Sequence, residues 1–132
     1  MKKKIKEECD KNPNEESCGI IYFAKKRTRI YPCYNRSENR KRMFSISHGD
    51  FLDCMKMGEI FGIYHSHVDE DESFSDEDIL FSEETRLPYF VYSLKTKRHL
   101  AYFPSGVDTE SSSLRNFLSR VKRDFSVKGI KE

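Results

Sequence analysis

Two histidines separated by one residue, His65 and His67, stand at the end of an apolar run, Ile60 to Tyr64, and an acidic stretch follows them. Side chains two apart on a strand share a face, so both imidazoles project to one side. The same alternation places Phe61, Ile63, His65 and His67 on one face and Ile60, Gly62, Tyr64 and Ser66 on the other. Two imidazoles and a carboxylate are donors that zinc accepts at roughly 2.0 to 2.2 Å, leaving a fourth tetrahedral position for water. Such an open position is the mark of a catalytic site. A hydrolase would need, in addition, a base to move the proton.

Ser75 and Asp78 lie three residues apart, the spacing of a helix capping box, and the acids from Asp69 to Glu77 suit a solvated loop. That reading is compatible with a metal site, because a capping serine fixes the helix start and presents Asp78 toward the histidines. Other metal motifs fail. A calcium loop begun at Asp69 would put Phe74 where glycine is needed and Leu80 where the bidentate glutamate belongs. The zinc deaminase and helical HExxH patterns are absent.

The elements that must carry these residues follow from the pattern. Residues 1–11 suggest a short helix or a frayed basic arm, closed by Asn12-Pro13-Asn14. Ile20–Ala24 reads as a buried strand, Lys25–Arg29 as a hairpin turn, and Ile30–Tyr34 and Met43–Ile46 as further strands around a polar loop, 35–42. Ser47 with Asp50 signals a helix that runs to Gly58, with His48 at its start. A helix from Ser75 to Arg86 should face Ile79 and Leu80 inward. Pro88–Leu94 and His99–Phe103 form a hairpin with His99 on its surface, and Leu114, Phe117, Leu118, Val121 and Phe125 form the inner face of an amphipathic helix.

The 132 residues allow one domain with a real core, and ten Phe with seven Tyr argue against disorder. Charge is uneven: residues 1–48 hold 13 Lys/Arg and 6 Asp/Glu, residues 49–84 hold 1 and 12, and residues 85–132 hold 10 and 4. The His pair thus lies in an acidic island between basic flanks. Nucleic-acid binding is not expected from those flanks, because aromatics and lysines are not interleaved. Cys9, Cys18, Cys33 and Cys54 form no CxxC pair, and no signal peptide or membrane-length apolar run is present, which predicts a reducing cytoplasm.

These residues together resemble a known family. Glu16-Ser17-Cys18-Gly19-Ile20-Ile21 matches an E-x-x-G-apolar entry, and His65-Ser66-His67 with Ser75 and Asp78 matches H-[ST]-H-x7-S-x2-D, both of the JAMM (JAB/MPN-plus) metallopeptidases. Tyr31–Asn35, Phe44–Ile46, the Gly49-Asp50-Phe51 helix and Leu87–Tyr89 are similar to the branch found in phage tail-tip assembly proteins. The resemblance implies an α/β fold with a central mixed β-sheet flanked by helices, as a single domain over residues 15–132 preceded by a basic arm or short helix, 1–14. It also implies zinc bound by His65, His67 and Asp78, with Glu16 as general base and Ser75 holding the oxyanion. Val68 and Phe74 stand where the family usually has proline, which predicts a less rigid loop and bears on specificity.

The implied activity is hydrolysis of a peptide or isopeptide bond in phage or prophage tail assembly. Implied substrates are a ubiquitin-like tail, a peptidoglycan peptide or a tail protein, with phage tail-tip proteins as partners. The setting would be the host cytoplasm or a virion tail. A structural tail-tip platform without turnover is the alternative. Cys18, beside Glu16, has no family role and is read as a small buried thiol.

Overall fold

The computed structural model describes residues 1–129; residues 130–132, the end of the domain expected over 15–132, lie outside the described residues. In chain order the elements are α1 (Lys2–Asp10), β1 (Cys18–Ala24), β2 (Arg27–Cys33), α2 (His48–Met57) and β3 (Glu59–His67). They continue as α3 (Asp76–Thr85), β4 (Tyr89–Ser93), β5 (His99–Tyr102), α4 (Ser112–Asp124) and β6 (Val127–Lys128). The six strands form one mixed sheet in the order β2-β1-β3-β4-β5-β6, with β3–β4 and β5–β6 parallel. The expected α/β architecture, a mixed sheet flanked by helices, is the one observed.

β3 is the central element. Every residue from Phe61 to His67 is buried, as a strand covered on both faces requires. One face packs under α1 and α4, where Ile5, Cys9, Leu114, Phe117 and Val121 meet Ile21, Tyr64, Phe90 and Tyr92. The other packs against α2 and the loops near α3, joining Ile20, Ile63, Tyr89 and Tyr102 to Cys54, Phe51, Phe44 and Ile79. For residues 1–11, a docked helix forms.

The alternation along β3 is broken once. The β1–β3 register pairs Ile21 with Gly62 and Tyr22 with Ile60, leaving Phe61 as an extra residue in a bulge. Phe61 therefore packs with Tyr64, on the α4 side, where unbroken alternation would put it beside His65. Ile60 correspondingly joins the cluster of Ile63. Beyond the bulge the alternation holds, and the histidines share one face.

Several local expectations change. The turn between β1 and β2 is only Lys25-Lys26, and β2 begins at Arg27. Met43–Ile46 is not a strand: Asn35 accepts the Ser45 N–H at 3.1 Å and donates to the Met43 carbonyl at 2.9 Å, so a side chain takes over bonds that a sheet ladder would make. Leu80 faces solvent at 54% exposure, because Asp78 and Ser82, four apart, occupy the inward stripe of α3. His99 is half-buried between the rings of Tyr92 (4.7 Å) and Phe125 (5.8 Å). His48 does begin α2, whose Ser47 cap accepts from the Asp50 N–H.

Candidate metal centre

His65 and His67 leave the carboxyl end of β3 on the same face, and α3 brings Asp78 to them. Nε2 of His65 lies 3.1 Å from Asp78 Oδ2, and Nε2 of His67 lies 3.6 Å from the same oxygen. One donor atom from each of the three residues falls within 4.8 Å of the others, and all three residues are buried. Asp78 is aimed by its own helix start. Ser75 Oγ accepts the Asp78 N–H at 3.1 Å while Asp78 Oδ2 accepts the Ser75 N–H at 3.3 Å. The capping box of Ser75 and Asp78 and the approach of Asp78 to both histidines therefore coexist in one geometry.

The donor chemistry suits a cation. His67 Nδ1 donates to the Asp71 carbonyl at 2.7 Å, a bond that requires the proton on Nδ1 and so makes Nε2, which faces Asp78, the atom that would ligate a cation on losing its own proton. The ring of His65 is stacked on Phe44 at 4.5 Å between centroids and touches Phe74, which restricts its rotation. His65 Nδ1 is buried without a hydrogen-bond partner, so no neighbouring acceptor fixes a proton there, while Nε2 is the atom that faces Asp78. Burial opposes the charge of Asp78, but His65 and His67 outweigh it and hold the carboxyl well below the usual range, so the oxygen is an anion available to a cation. Burial also works against the His67 cation, yet the bonds to Asp78 and Asp71 raise it to about 9.

Glu16 lies just before β1, which pairs antiparallel with β3 so that Cys18 stands opposite His65. Its side chain is 3% exposed and lines the same cleft of about 350 Å³ as His67, Ser75 and Asp78. Burial pushes its carboxyl up to about 8; His67 opposes the rise, and Asp78 and Glu70 add to it. A cation held by the ligands would act as His67 does and lower it. Ser75 is exposed at the cleft edge, its hydroxyl accepting from the Asp78 N–H. Cys18 is buried and its thiol, raised to about 12 by desolvation, points to the Cys33 carbonyl rather than the cleft.

Sequence reasoning did not find Asn35. It is buried, donates to the carbonyls of Glu16 and Met43 at 2.9 Å, and accepts from Ser37 and Ser45. The Glu16 N–H donates to the Arg40 carbonyl at 2.6 Å. The loop between β2 and α2 is thereby stapled to the backbone of Glu16, and it delivers Arg42, Met43 and Phe44 to the cleft. An Asx turn at Asn35 was the one available sequence signal, and nothing in the spacing says that the asparagine faces inward. Phe74, one of the two departures from proline, packs on Tyr102 and His65 and anchors the acidic loop by contact instead.

A mixed sheet with a buried His-His-Asp cluster at the mouth of its central strand defines a JAB/MPN-type domain. The family described as prokaryotic homologs of the JAB domain matches residues 1–114, and the chain belongs to it. The tail tip assembly protein K of Escherichia phage N15 is 27% identical over 110 residues, 83% of this chain and 41% of that relative. The chain thus spans less than half of that protein's length. A solution structure of a protein from Desulfitobacterium hafniense shares the fold, with a TM-score of 0.57 at 22% identity, covering 76% of this chain and 75% of the other.

Proposed function

We propose that this chain is a zinc-dependent peptidase or isopeptidase acting in phage or prophage tail assembly. The observation that carries the reading is the buried cluster of His65, His67 and Asp78, two of whose members, His67 and Asp78, share a cleft with the buried carboxyl of Glu16. His65, His67 and Asp78 would hold the ion. Zinc, when bound, supplies a Lewis acid that polarises a carbonyl and lowers the pKa of water to about 7. Glu16, whose carboxyl is pushed up to about 8 by burial and would be lowered by a bound cation, takes the proton of the attacking water and returns it to the leaving amine. Ser75, at the cleft edge, donates its hydroxyl to the developing oxyanion.

The substrate is a peptide or isopeptide bond, in a tail protein, a peptidoglycan peptide or a ubiquitin-like tail. Support for the tail setting comes from the matched phage relative. We place the protein in the host cytoplasm during assembly, with tail-tip proteins as partners and the virion tail as a destination. No helix among the described residues is long and apolar enough to cross a membrane.

One observation favours a second reading, a platform without turnover. The three ligands tie β3 to α3 across the loop between them, so metal binding would contribute folding energy even without catalysis. Metal analysis of the purified protein, followed by cleavage assays on isopeptide, muropeptide and tail-protein substrates, separates the two. Peptidase function predicts cleavage that Glu16→Gln abolishes while zinc stays bound. Normal turnover by that variant overturns the role of Glu16, and melting on zinc removal with no substrate ever cut supports the platform.

A further inference from the structure

The sheet face under α1 and α4, away from the ligand cluster, carries a basic groove of about 860 Å³. Its rim brings together Lys2 and Lys3 of α1, Lys26 and Arg27 of the β1–β2 hairpin, and Arg120 and Arg123 of α4; Asp124 is the one acid lining it. All six cations are exposed. None of the six makes an ion pair among the described residues, whereas Lys6, Lys11, Arg40 and Lys41 each do.

Two of the six, Lys2 and Arg120, are held by neutral groups instead. Lys2 Nζ donates to the Asp124 carbonyl at 2.8 Å and lies 5.2 Å above the centre of the Phe125 ring. Arg120 donates to the Thr28 hydroxyl at 3.2 Å, joining α4 to β2 across the groove. Like charges gathered in a concave surface raise a positive potential that is lowered by an incoming anion. The hairpin tip carries charge at a backbone cost: Lys25 and Lys26 adopt φ of 52° and 63°, the left-handed region where such turns favour Asn and Gly.

We propose that this groove docks an acidic segment of a partner protein, at a surface separate from the metal cleft. Phe117, Val121 and Phe125 lie buried beneath the groove, so the surface open to a partner is chiefly the six cations, which suits a carboxylate-rich chain. Phe117 and Phe125 are 2% and 8% exposed, so neither offers a ring face on which nucleic-acid bases would stack. The partner is thereby an acidic peptide rather than a single strand of nucleic acid.

Fluorescence anisotropy with the intact chain tests this, using a short labelled Glu-rich peptide and, in parallel, a single-stranded oligonucleotide of equal net charge. The peptide should bind saturably, and Arg120→Glu with Arg123→Glu should weaken it about tenfold or more, the affinity falling as salt rises. Lys26→Glu, on a different element, should weaken it as well, so that a folding defect in the α4 variant cannot account for the loss. Tighter binding of the oligonucleotide than of the peptide overturns the proposal in favour of nucleic acid. Absence of saturable peptide binding, or binding untouched by both sets of charge reversals, overturns it outright.

Discussion

Asp78 Oδ2 lies 3.1 Å from Nε2 of His65, and that same oxygen accepts the backbone N–H that begins α3. One atom thus belongs to a candidate ligand set and to a helix cap. The helix start and the metal centre are mechanically one object, since any rotation of Asp78 toward or away from His65 also loosens the turn at Ser75.

Asp78→Ala should therefore have two effects. Zinc content should fall to background by elemental analysis, because a third ligand is gone. In the presence of chelator the variant should also be less stable by about 1 to 3 kcal/mol in denaturant unfolding, since the Ser75 N–H and His65 Nε2 lose their acceptor. Ser75→Ala, which removes only the cap, should cost about 1 kcal/mol and keep the metal. Full zinc occupancy in Asp78→Ala would remove it from the ligand set.

Asn35→Ala should destabilise the domain by about 2 kcal/mol, because it strands the buried Glu16 carbonyl and removes the partners of the Met43 carbonyl and the Ser45 N–H. Under the peptidase reading, cleavage should drop further than stability explains, since Glu16 and Phe44 lose their common anchor. Zinc affinity should change little. Activity equal to the parent at a temperature where both are folded would show that the loop does not position Glu16.

Gly62→Ala probes the bulge that redirects Phe61. A Cβ at this position would sit 2.6 Å from the Pro88 carbonyl oxygen, which belongs to backbone bonded to Ile63 and has little room to yield. We expect a loss of about 1 to 3 kcal/mol, from displacement of β3 against the start of β4. An unchanged melting temperature would mean that the two strands part at no cost.

His99 gives a pH dependence independent of the ligand cluster. Burial, then Lys2 and Lys6, depress its imidazole to about 4, with Asp10 opposing. The folded value lies below the unfolded one, so its contribution is complete above about pH 6.5 and is lost as pH falls toward 4. His99→Gln should flatten the fall in melting temperature across that window, relative to the parent protein. Parallel curves for the two proteins would refute the assignment.

What the sequence by itself determined is what local geometry controls. Period-two alternation sends His65 and His67 to one side, and three-residue spacing lets Ser75 and Asp78 close a cap, because each depends on dihedrals within one element. The order of motif residues, read as a family resemblance, pointed to Glu16. Other relationships were decided only by the tertiary structure. The bulge at Phe61 arises from the β1–β3 register, and Leu80 turns outward because Asp78 and Ser82 hold the inner stripe of α3. Met43–Ile46 stays out of the sheet because Asn35 bonds its backbone first, and the same asparagine holds the Glu16 carbonyl nineteen residues upstream. A buried polar group takes whichever partner the packed chain brings within reach, and that choice is not written in residue spacing.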